Sequence, residues 1–407
     1  MIYAAVIGFG TVGSGVVDII EQNQEQIRRA VPEGIYVKYI LDIRDFPDSP
    51  YADRVVHDIE TVVNDPEISI ICETMGGKEP ARTFSQMALE KGISVCTSNK
   101  ELVAAFGPSL IRTAREHNCS YFFEASVGGG IPLIRPLLDC LAQEDVTSIT
   151  GILNGTTNYI LTKMDRDGEE YAPMLREAQK LGYAERNPDA DVEGHDAGRK
   201  IAILSSLMCG KNVPYESIYV EGISGITAED FLYAGAMGCS IRLLGVCRKT
   251  PDGLSVLTAP FLVKEGHPLY AVSDVFNGVV IHGNMVDDVM FYGRGAGKLP
   301  TGSAVVGDMI TAAREKEAGH FTPVLWSEEA EPMQSFEKHA CPFLVRISAG
   351  LKEKAKTAFS GHIEKILELK EHPQEFAVLT DIMTEKEFRE AAESLEIHGR
   401  IRVLTQE

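Results

Sequence analysis

IYAAVIGFGTVGSG, residues 2–15, is a short β-branched run that ends in Gly8-Phe9-Gly10-Thr11-Val12-Gly13 and passes into a helix-forming stretch from Ser14. Strand, glycine turn and helix in direct succession open a βαβ unit, and a GxGxxG at that junction is evidence for a bound dinucleotide. The glycines permit a tight turn and close backbone approach, while the helix N-terminus offers N–H groups and the positive end of its dipole to a pyrophosphate. Without that context the same glycines are only a structural turn. Gly8, Phe9, Gly10, Thr11, Val12 and Gly13 are thus the first candidate cofactor-binding residues.

Working outward, short apolar runs alternate with helical ones: strands at Val37–Ile43, Ile68–Thr74, Ile93–Ser98 and Cys119–Ser126, and helices from Ala81 and from Pro108. That alternation is the pattern of a parallel, doubly wound sheet. From Ile131 the texture shifts. A helix is expected at Pro132, a good first-turn residue. A strand-like Ser148–Asn154 follows, then helices over Thr156–Met164, Met174–Leu181 and Asp196–Met208. Leu254–Val263 and Gly278–Gly283 suggest a mixed sheet, and a glycine-rich loop, Tyr292–Ala304, precedes a helix over Val305–Glu317. A linker is expected at Glu329–Ser335, followed by strand Pro342–Ala349, helix Glu353–Leu367, strand Glu375–Met383, helix Glu385–Leu395 and strand Arg400–Gln406. The expected fold class is α/β, with a doubly wound parallel sheet over residues 1–130 joined by about 300–320. A central α+β domain with a mixed sheet covers 131–300, and a small αβ module covers 336–407.

At 407 residues the chain exceeds what one core usually serves. A net charge of −20 argues against nucleic-acid binding, which needs a basic face. The eight cysteines include no CxxC pair and lie mostly in apolar runs, as reduced thiols of a cytoplasmic protein do. The ten histidines include no HExxH, so a transition-metal centre is not expected. No signal peptide is read at the N-terminus, and no run approaches the roughly 20 apolar residues that cross a bilayer.

Chemistry concentrates in LGYAERNPDADVEGHDAGRKIAIL, Leu181–Leu204, where Glu185, Asp189, Asp191, Glu193 and Asp196 precede an apolar helix that carries Lys200. Asp196, Lys200, Ile203 and Leu207 fall on one helical stripe, so the lysine is expected on the buried face. A lysine drawn from water has its charged form disfavoured and becomes a usable proton donor, an effect limited by a carboxylate one turn away. An ordinary solvated Asp and Lys pair is the alternative. Lys100, in Thr97-Ser98-Asn99-Lys100 at the end of a strand, is placed to polarise a carbonyl or hold a carboxylate, unless it is a plain surface lysine. Glu124–Pro132, EASVGGGIP, offers Glu124 and glycine-exposed carbonyls to a hard monovalent cation, or is only a hinge. Gly293–Gly297, with Thr301 and Ser303 as caps of the next helix, either approaches the cofactor through Gly295 and Gly297 or is a simple loop. At the end of the second strand, Asp42 and Asp45 favour a free ribose hydroxyl while Arg44 suits a 2′-phosphate, which leaves NAD and NADP both open.

In order along the chain, GFGTVGSG, ETMGG, TSNKELVA, EASVGGGIP, GILNGTTNYIL, the acidic stretch and GRGAGKLPTGSAVVGD resemble homoserine dehydrogenases over about residues 1–320. The resemblance implies a Rossmann-type NAD(P)-binding domain and the reversible interconversion of L-aspartate 4-semialdehyde and L-homoserine, on the branch to threonine, methionine and isoleucine. It implies Lys200 as general acid and base and Lys100 as a group that holds substrate near the nicotinamide. Glu185 would take the substrate ammonium, with Asp191, Asp196 and Gly182 beside it. Thr74 and Ser98 join the cofactor set. A sodium site would use Glu124 with the carbonyls of Val127, Gly129 and Ile131. The resemblance also implies a homodimer or higher homo-oligomer built on the central domain. The last module is similar to an ACT domain, βαββαβ, but Ser348–Glu353 lacks the family's acidic turn after the first strand. A degenerate ACT-like domain for assembly or altered regulation is therefore expected, without threonine inhibition. The remaining alternatives are another amino-acid or semialdehyde dehydrogenase and a catalytically silent nucleotide sensor.

Overall fold

The β-branched runs of the N-terminal third form a parallel sheet in the computed structural model, which describes residues 1–321, 324 and 326–405. The strands are β1 (Ile2–Ile7), β2 (Ile35–Leu41), β3 (Val55–Val56), β4 (Ile68–Glu73), β5 (Ser94–Thr97) and β6 (Tyr121–Phe122), in the spatial order β3-β2-β1-β4-β5-β6. Every adjacent pair is parallel. The order reverses beside β1, and in doubly wound sheets ligands bind outside the carboxyl ends of the strands at that point. β4 is buried at every position, as a central parallel strand covered on both faces must be. This sheet belongs to a compact unit made of Met1–Glu144, Ala202–Glu216 and Phe291–Glu331.

Helix Lys298–Ala318 enters that unit through close packing on helix Thr11–Gln22. A Cβ added at Gly15 would stand 2.4 Å from the Lys298 carbonyl oxygen. Val16, Val17, Ile20, Val305 and Met309 close the contact without solvent exposure, and full burial of such side chains is worth roughly 2 kcal/mol each.

Several boundaries depart from the sequence reading, each for a local reason. Helix Thr11–Gln22 begins inside the glycine loop, not at Ser14, with Gly10 as its cap. The helix expected from Pro108 runs from Lys100 to Glu116. Asn99 fixes its start by accepting the Leu102 N–H on Oδ1 at 3.1 Å, a cap that overrides the proline signal. The helix expected at Pro132 begins only at Ile134 and runs as a π turn over Pro136–Cys140. Thr301 and Ser303 are not caps. They lie within helix Lys298–Ala318, whose cap is Gly297 at φ 130°.

The second unit comprises Asp145–Ile201, Ser217–Met290 and Pro332–Glu407. Its strands are β7 (Val146–Ile152), β8 (Tyr219–Val220), β9 (Cys239–Thr250), β10 (Gly253–Lys264), β11 (Phe276–Gly283), β12 (Asp287–Arg294), whose residues from Phe291 on are counted in the first unit, β13 (Ala340–Cys341), β14 (Phe343–Ser348), β15 (Ile363–Leu367), β16 (Glu375–Thr380), β17 (Met383–Thr384) and β18 (Ile397–Val403). A mixed sheet runs in the order β12-β11-β7-β9-β10-β18-β14-β16-β15. The last module is a βαββαβ unit whose strands stand in the order β18-β14-β16-β15 with antiparallel neighbours. Its helices are Lys352–Ala358 and Glu385–Ala392.

The helix expected over Glu353–Leu367 is instead the short helix Lys352–Ala358 followed by β15. Gly361 at φ 85° breaks it, and Ile363–Leu367 pairs with β16. Gln406, the end of the expected last strand, lies outside the described residues.

The module continues the central sheet through the parallel pairing of β18 with β10. Buried charge pairs fix that junction. Arg402, with 0% exposure, donates to Glu385 at 2.5 Å and to Glu221 at 2.7 Å. Arg346 donates to Asp230 at 2.8 Å. Removing one partner of such a pair leaves an uncompensated charge and costs about 3–5 kcal/mol.

Candidate active site

Helix His195–Cys209 turns Asp196, Lys200, Ile203 and Leu207 inward, all buried, as the stripe in the sequence requires. Lys200 is 8% exposed. Its Nζ donates to Asp196 Oδ2 at 2.7 Å and to the Leu153 carbonyl at 2.8 Å. An ammonium has three donors, so two anchor the group and one remains for a ligand oxygen.

Leu153 is held in place by its neighbour. Asn154 caps helix Gly155–Asp167 by accepting the Thr157 N–H at 2.8 Å. The same side chain donates through Nδ2 to Asp191 Oδ1 and to Asp196 Oδ2, both at 2.8 Å. Lys200, Asp196, Asn154 and Asp191 therefore form one hydrogen-bonded cluster. Asn154 was not among the expected site residues. An Asn before Gly-Thr-Thr is readable as a helix cap, but its two acidic partners lie 37 and 42 residues away.

Glu185 and Gly182 are exposed in the loop between helix Tyr171–Lys180 and this cluster. Gly182 takes φ 77°, and the Thr156 hydroxyl donates to Tyr183 O at 2.7 Å. The loop backbone is thus tied down while the Glu185 carboxylate stands in solvent.

In the first unit, Gly8 adopts φ 91°. A Cβ at Gly13 would meet Gly8 O at 2.0 Å and Thr74 Oγ1 at 2.7 Å. Thr74 Oγ1 donates to Gly8 O at 2.7 Å, which locks the loop against the end of β4. Gly10 supplies no side-chain cap to the helix that starts at Thr11, so first-turn N–H groups of Thr11, Val12 and Gly13 suit a pyrophosphate.

The Phe9 N–H donates to Asp42 Oδ2 at 2.8 Å. Arg44 grips both Asp42 oxygens at 3.0 Å, and this grip is the main reason the Asp42 carboxyl is held down at about 2. The pair presents a neutralised carboxylate where a ribose is expected, which removes the electrostatic objection to a 2′-phosphate. A dinucleotide therefore fits this loop.

Ser98 and Lys100 follow β5, with Lys100 half-buried in the first turn of its helix. Gly295 packs closely on the Gly129 turn, where an added Cβ at Gly129 would lie 2.4 Å from Gly295 O.

The Glu124 carboxylate accepts three backbone N–H groups. Leu133 and Ile134 donate to Oε1 at 2.5 and 2.8 Å, and Arg135 donates to Oε2 at 2.7 Å. Its side chain thus caps the Ile134 turn, in the same segment as Val127, Gly129 and Ile131. Among the described residues no group of three or more His, Cys, Asp or Glu side chains is arranged to hold a metal ion. The cysteines are free among the described residues, and most are buried.

Two family models cover this geometry. The homoserine dehydrogenase NAD-binding domain matches residues 8–124, and the homoserine dehydrogenase domain matches residues 132–310. The homoserine dehydrogenase of Bacillus subtilis (strain 168) is 35% identical over 410 aligned positions, covering 97% of this chain and 94% of the relative. The chain belongs to the homoserine dehydrogenase family.

A homoserine dehydrogenase structure from Thiobacillus denitrificans superposes with a TM-score of 0.93 at 32% identity, over 99% of this chain and 98% of that one. A hyperthermophilic archaeal homoserine dehydrogenase solved in complex with NADPH gives a TM-score of 0.67 at 27% identity, over 79% of this chain and 99% of that one. Membership makes the chain an NAD(P)-dependent oxidoreductase acting on a CH–OH group. It favours neither another amino-acid dehydrogenase nor a silent nucleotide sensor.

Proposed function

We propose that the buried pair of Lys200 and Asp196 is the acid and base centre at which L-homoserine and L-aspartate 4-semialdehyde interconvert. The observation that carries this reading is the anchoring of Lys200 by Leu153 O and Asp196, which leaves one donor for a substrate oxygen. Bound NAD(P) supplies the hydride donor in reduction and the acceptor in oxidation. In reduction, the carbonyl π pair moves onto oxygen and Lys200 Nζ gives the proton that completes the hydroxyl. Oxidation reverses the transfer. Asp196 holds the lysine in place and stabilises its cationic form.

The substrate is a zwitterion. Asp191, with Glu185 from the neighbouring loop, supplies the negative charge for its ammonium, and Gly182 lets that loop turn. Lys100 holds the substrate for hydride transfer. The cofactor set is Gly8, Phe9, Gly10, Thr11, Val12, Gly13, Arg44, Thr74, Ser98 and Lys100, with Gly295 and Gly297 as further candidates. The archaeal relative in complex with NADPH supports a nicotinamide dinucleotide here. Sodium, if bound, uses backbone carbonyls of the 124–131 turn.

The domains are read as residues 1–130 with about 300–320 for the cofactor, 131–300 for substrate and dimerisation, and 336–407 as a degenerate ACT-like module. The βαββαβ order of the last module supports that assignment. The assembly is read as a homodimer or higher homo-oligomer in the cytoplasm. Among the described residues no helix is long and apolar enough to cross a membrane.

Asp191→Asn tests the ammonium site. The homoserine KM should rise about tenfold, roughly 1.4 kcal/mol of lost binding, with the cofactor KM within about twofold. An unchanged homoserine KM would remove Asp191 from the substrate site.

A further inference from the structure

Glu73 ends β4 at the carboxyl edge of the parallel sheet and is 1% exposed. Its two oxygens serve two different turns. Oε1 accepts the Met75 N–H at 2.7 Å, within the turn after β4, and Oε2 accepts the Thr97 hydroxyl at 2.6 Å, at the end of β5. Thr97 Oγ1 in turn accepts the Asn99 N–H at 2.9 Å.

Asn99 completes the circuit. Its Nδ2 donates to Gly77 O at 2.7 Å, back in the turn after β4, and its Oδ1 accepts Leu102 N at 3.1 Å. That last bond caps the helix whose first residue is Lys100. A single carboxyl thus joins the turn that carries Thr74, the residue bonded to Gly8 O, to the turn that carries Lys100.

The partners of Glu73 are neutral, so nothing repays the burial of a charge there in full. Burial accordingly lifts this carboxyl to about 7, against the opposing pull of Thr97, Met75 and Asn99. A carboxyl whose value is raised on folding contributes stability below its ordinary value and loses that contribution as pH rises through about 7. An apolar side chain or an amide would fill the position more cheaply.

We propose that Glu73 is a positioning residue for the reaction: a buried carboxyl clamp that sets the Thr97–Asn99 turn and, through the Asn99 cap, the placement of Lys100. The proposal rests on the reading of Lys100 as the group that holds substrate. In the ionised form both oxygens accept, and the Thr97 hydroxyl hydrogen is directed at Oε2. In the protonated form the carboxyl becomes a donor to Thr97 Oγ1 and that link reverses polarity. The other ionisable groups around it are the Tyr121 phenol on β6, which burial raises well above its ordinary value, and the Cys72 thiol on β4, raised the same way. Asp308 of helix Lys298–Ala318 faces Cys72. The two neutral groups do not change charge between pH 6 and 9.

The test compares the full-length protein with Glu73→Gln and Thr97→Val. Homoserine oxidation is followed from pH 6 to 9, with nucleotide affinity and hydrogen exchange of residues 97–103 as further readouts. A misplacement of about 1 Å costs about 100-fold, so Glu73→Gln should lower kcat by about 10- to 100-fold, with a smaller loss of nucleotide affinity through the shifted Ser98 and Lys100. It should also abolish an ionisation near pH 7 in the kcat profile and speed exchange at the Lys100–Val103 amides. Thr97→Val cuts the same link without touching the carboxyl, and should reproduce the kcat loss and the faster exchange even where Glu73→Gln fails to fold. Wild-type kcat, pH profile and exchange in either folded variant would overturn the proposal. Absence of homoserine turnover in the unmodified protein would instead strike the functional reading, and the exchange comparison would then decide the clamp on its own.

Discussion

Lys200→Ala should lose about 10³-fold or more in kcat for homoserine oxidation, roughly 4 kcal/mol of transition-state stabilisation, the range expected for a group that transfers the proton. Nucleotide affinity should change little, because the proposed pyrophosphate contacts are backbone N–H groups of the glycine loop. The variant should also melt earlier. Asp196 is 2% exposed and loses its cation, and an uncompensated buried carboxylate costs about 3–5 kcal/mol. The two effects separate cleanly in one preparation. Steady-state kinetics report the first, and a thermal melt across pH reports the second. A Lys200→Ala protein with wild-type kcat would remove the lysine from the chemistry.

Gly13→Ala carries the second large effect, on the cofactor. The added Cβ cannot coexist with Gly8 O at 2.0 Å, and the obstacle is backbone, which no rotamer change relieves. Either the loop opens or the start of helix Thr11–Gln22 shifts, and both displace the N–H groups that meet the pyrophosphate. The nucleotide Kd should rise by about 100-fold or more, roughly 2.7 kcal/mol. Isothermal titration with NADPH and NADH measures it. Affinity within about twofold of wild type would show that the pyrophosphate does not sit on this loop.

Much of this site was legible in the chain because it rests on local rules. The glycine loop could be read from its place between strand and helix, and the buried lysine from a helical stripe it shares with Asp196, Ile203 and Leu207. Both depend on spacing within a dozen residues. What escaped depends on tertiary contact. Asn154 reads as a helix cap, but its role as a bridge between Asp191 and Asp196 appears only when distant segments meet. At Glu124, nothing local reveals that three backbone N–H groups converge on its carboxylate.

Three of the misplaced helix starts share a cause. Pro108, Thr301 and Ser303 are signals for helix starts, and in each case an earlier cap, Asn99 or Gly297, had already begun the helix. Within Glu353–Leu367, helical composition concealed a break at Gly361, where β15 leaves to pair with β16. One signal was present and unused. Glu73 is a carboxylate at the end of an otherwise apolar strand, and a charge in that place calls for a physical explanation.

The most direct measurement is homoserine oxidation by the purified full-length protein at mildly alkaline pH, with NAD and NADP in parallel, followed by the absorbance of the reduced nicotinamide. Turnover with at least one cofactor, lost in Lys200→Ala, is the predicted result, and the ratio of the two rates fixes the cofactor preference that Asp42 and Arg44 share. No turnover with either cofactor, from folded protein that still binds nucleotide, would contradict the account.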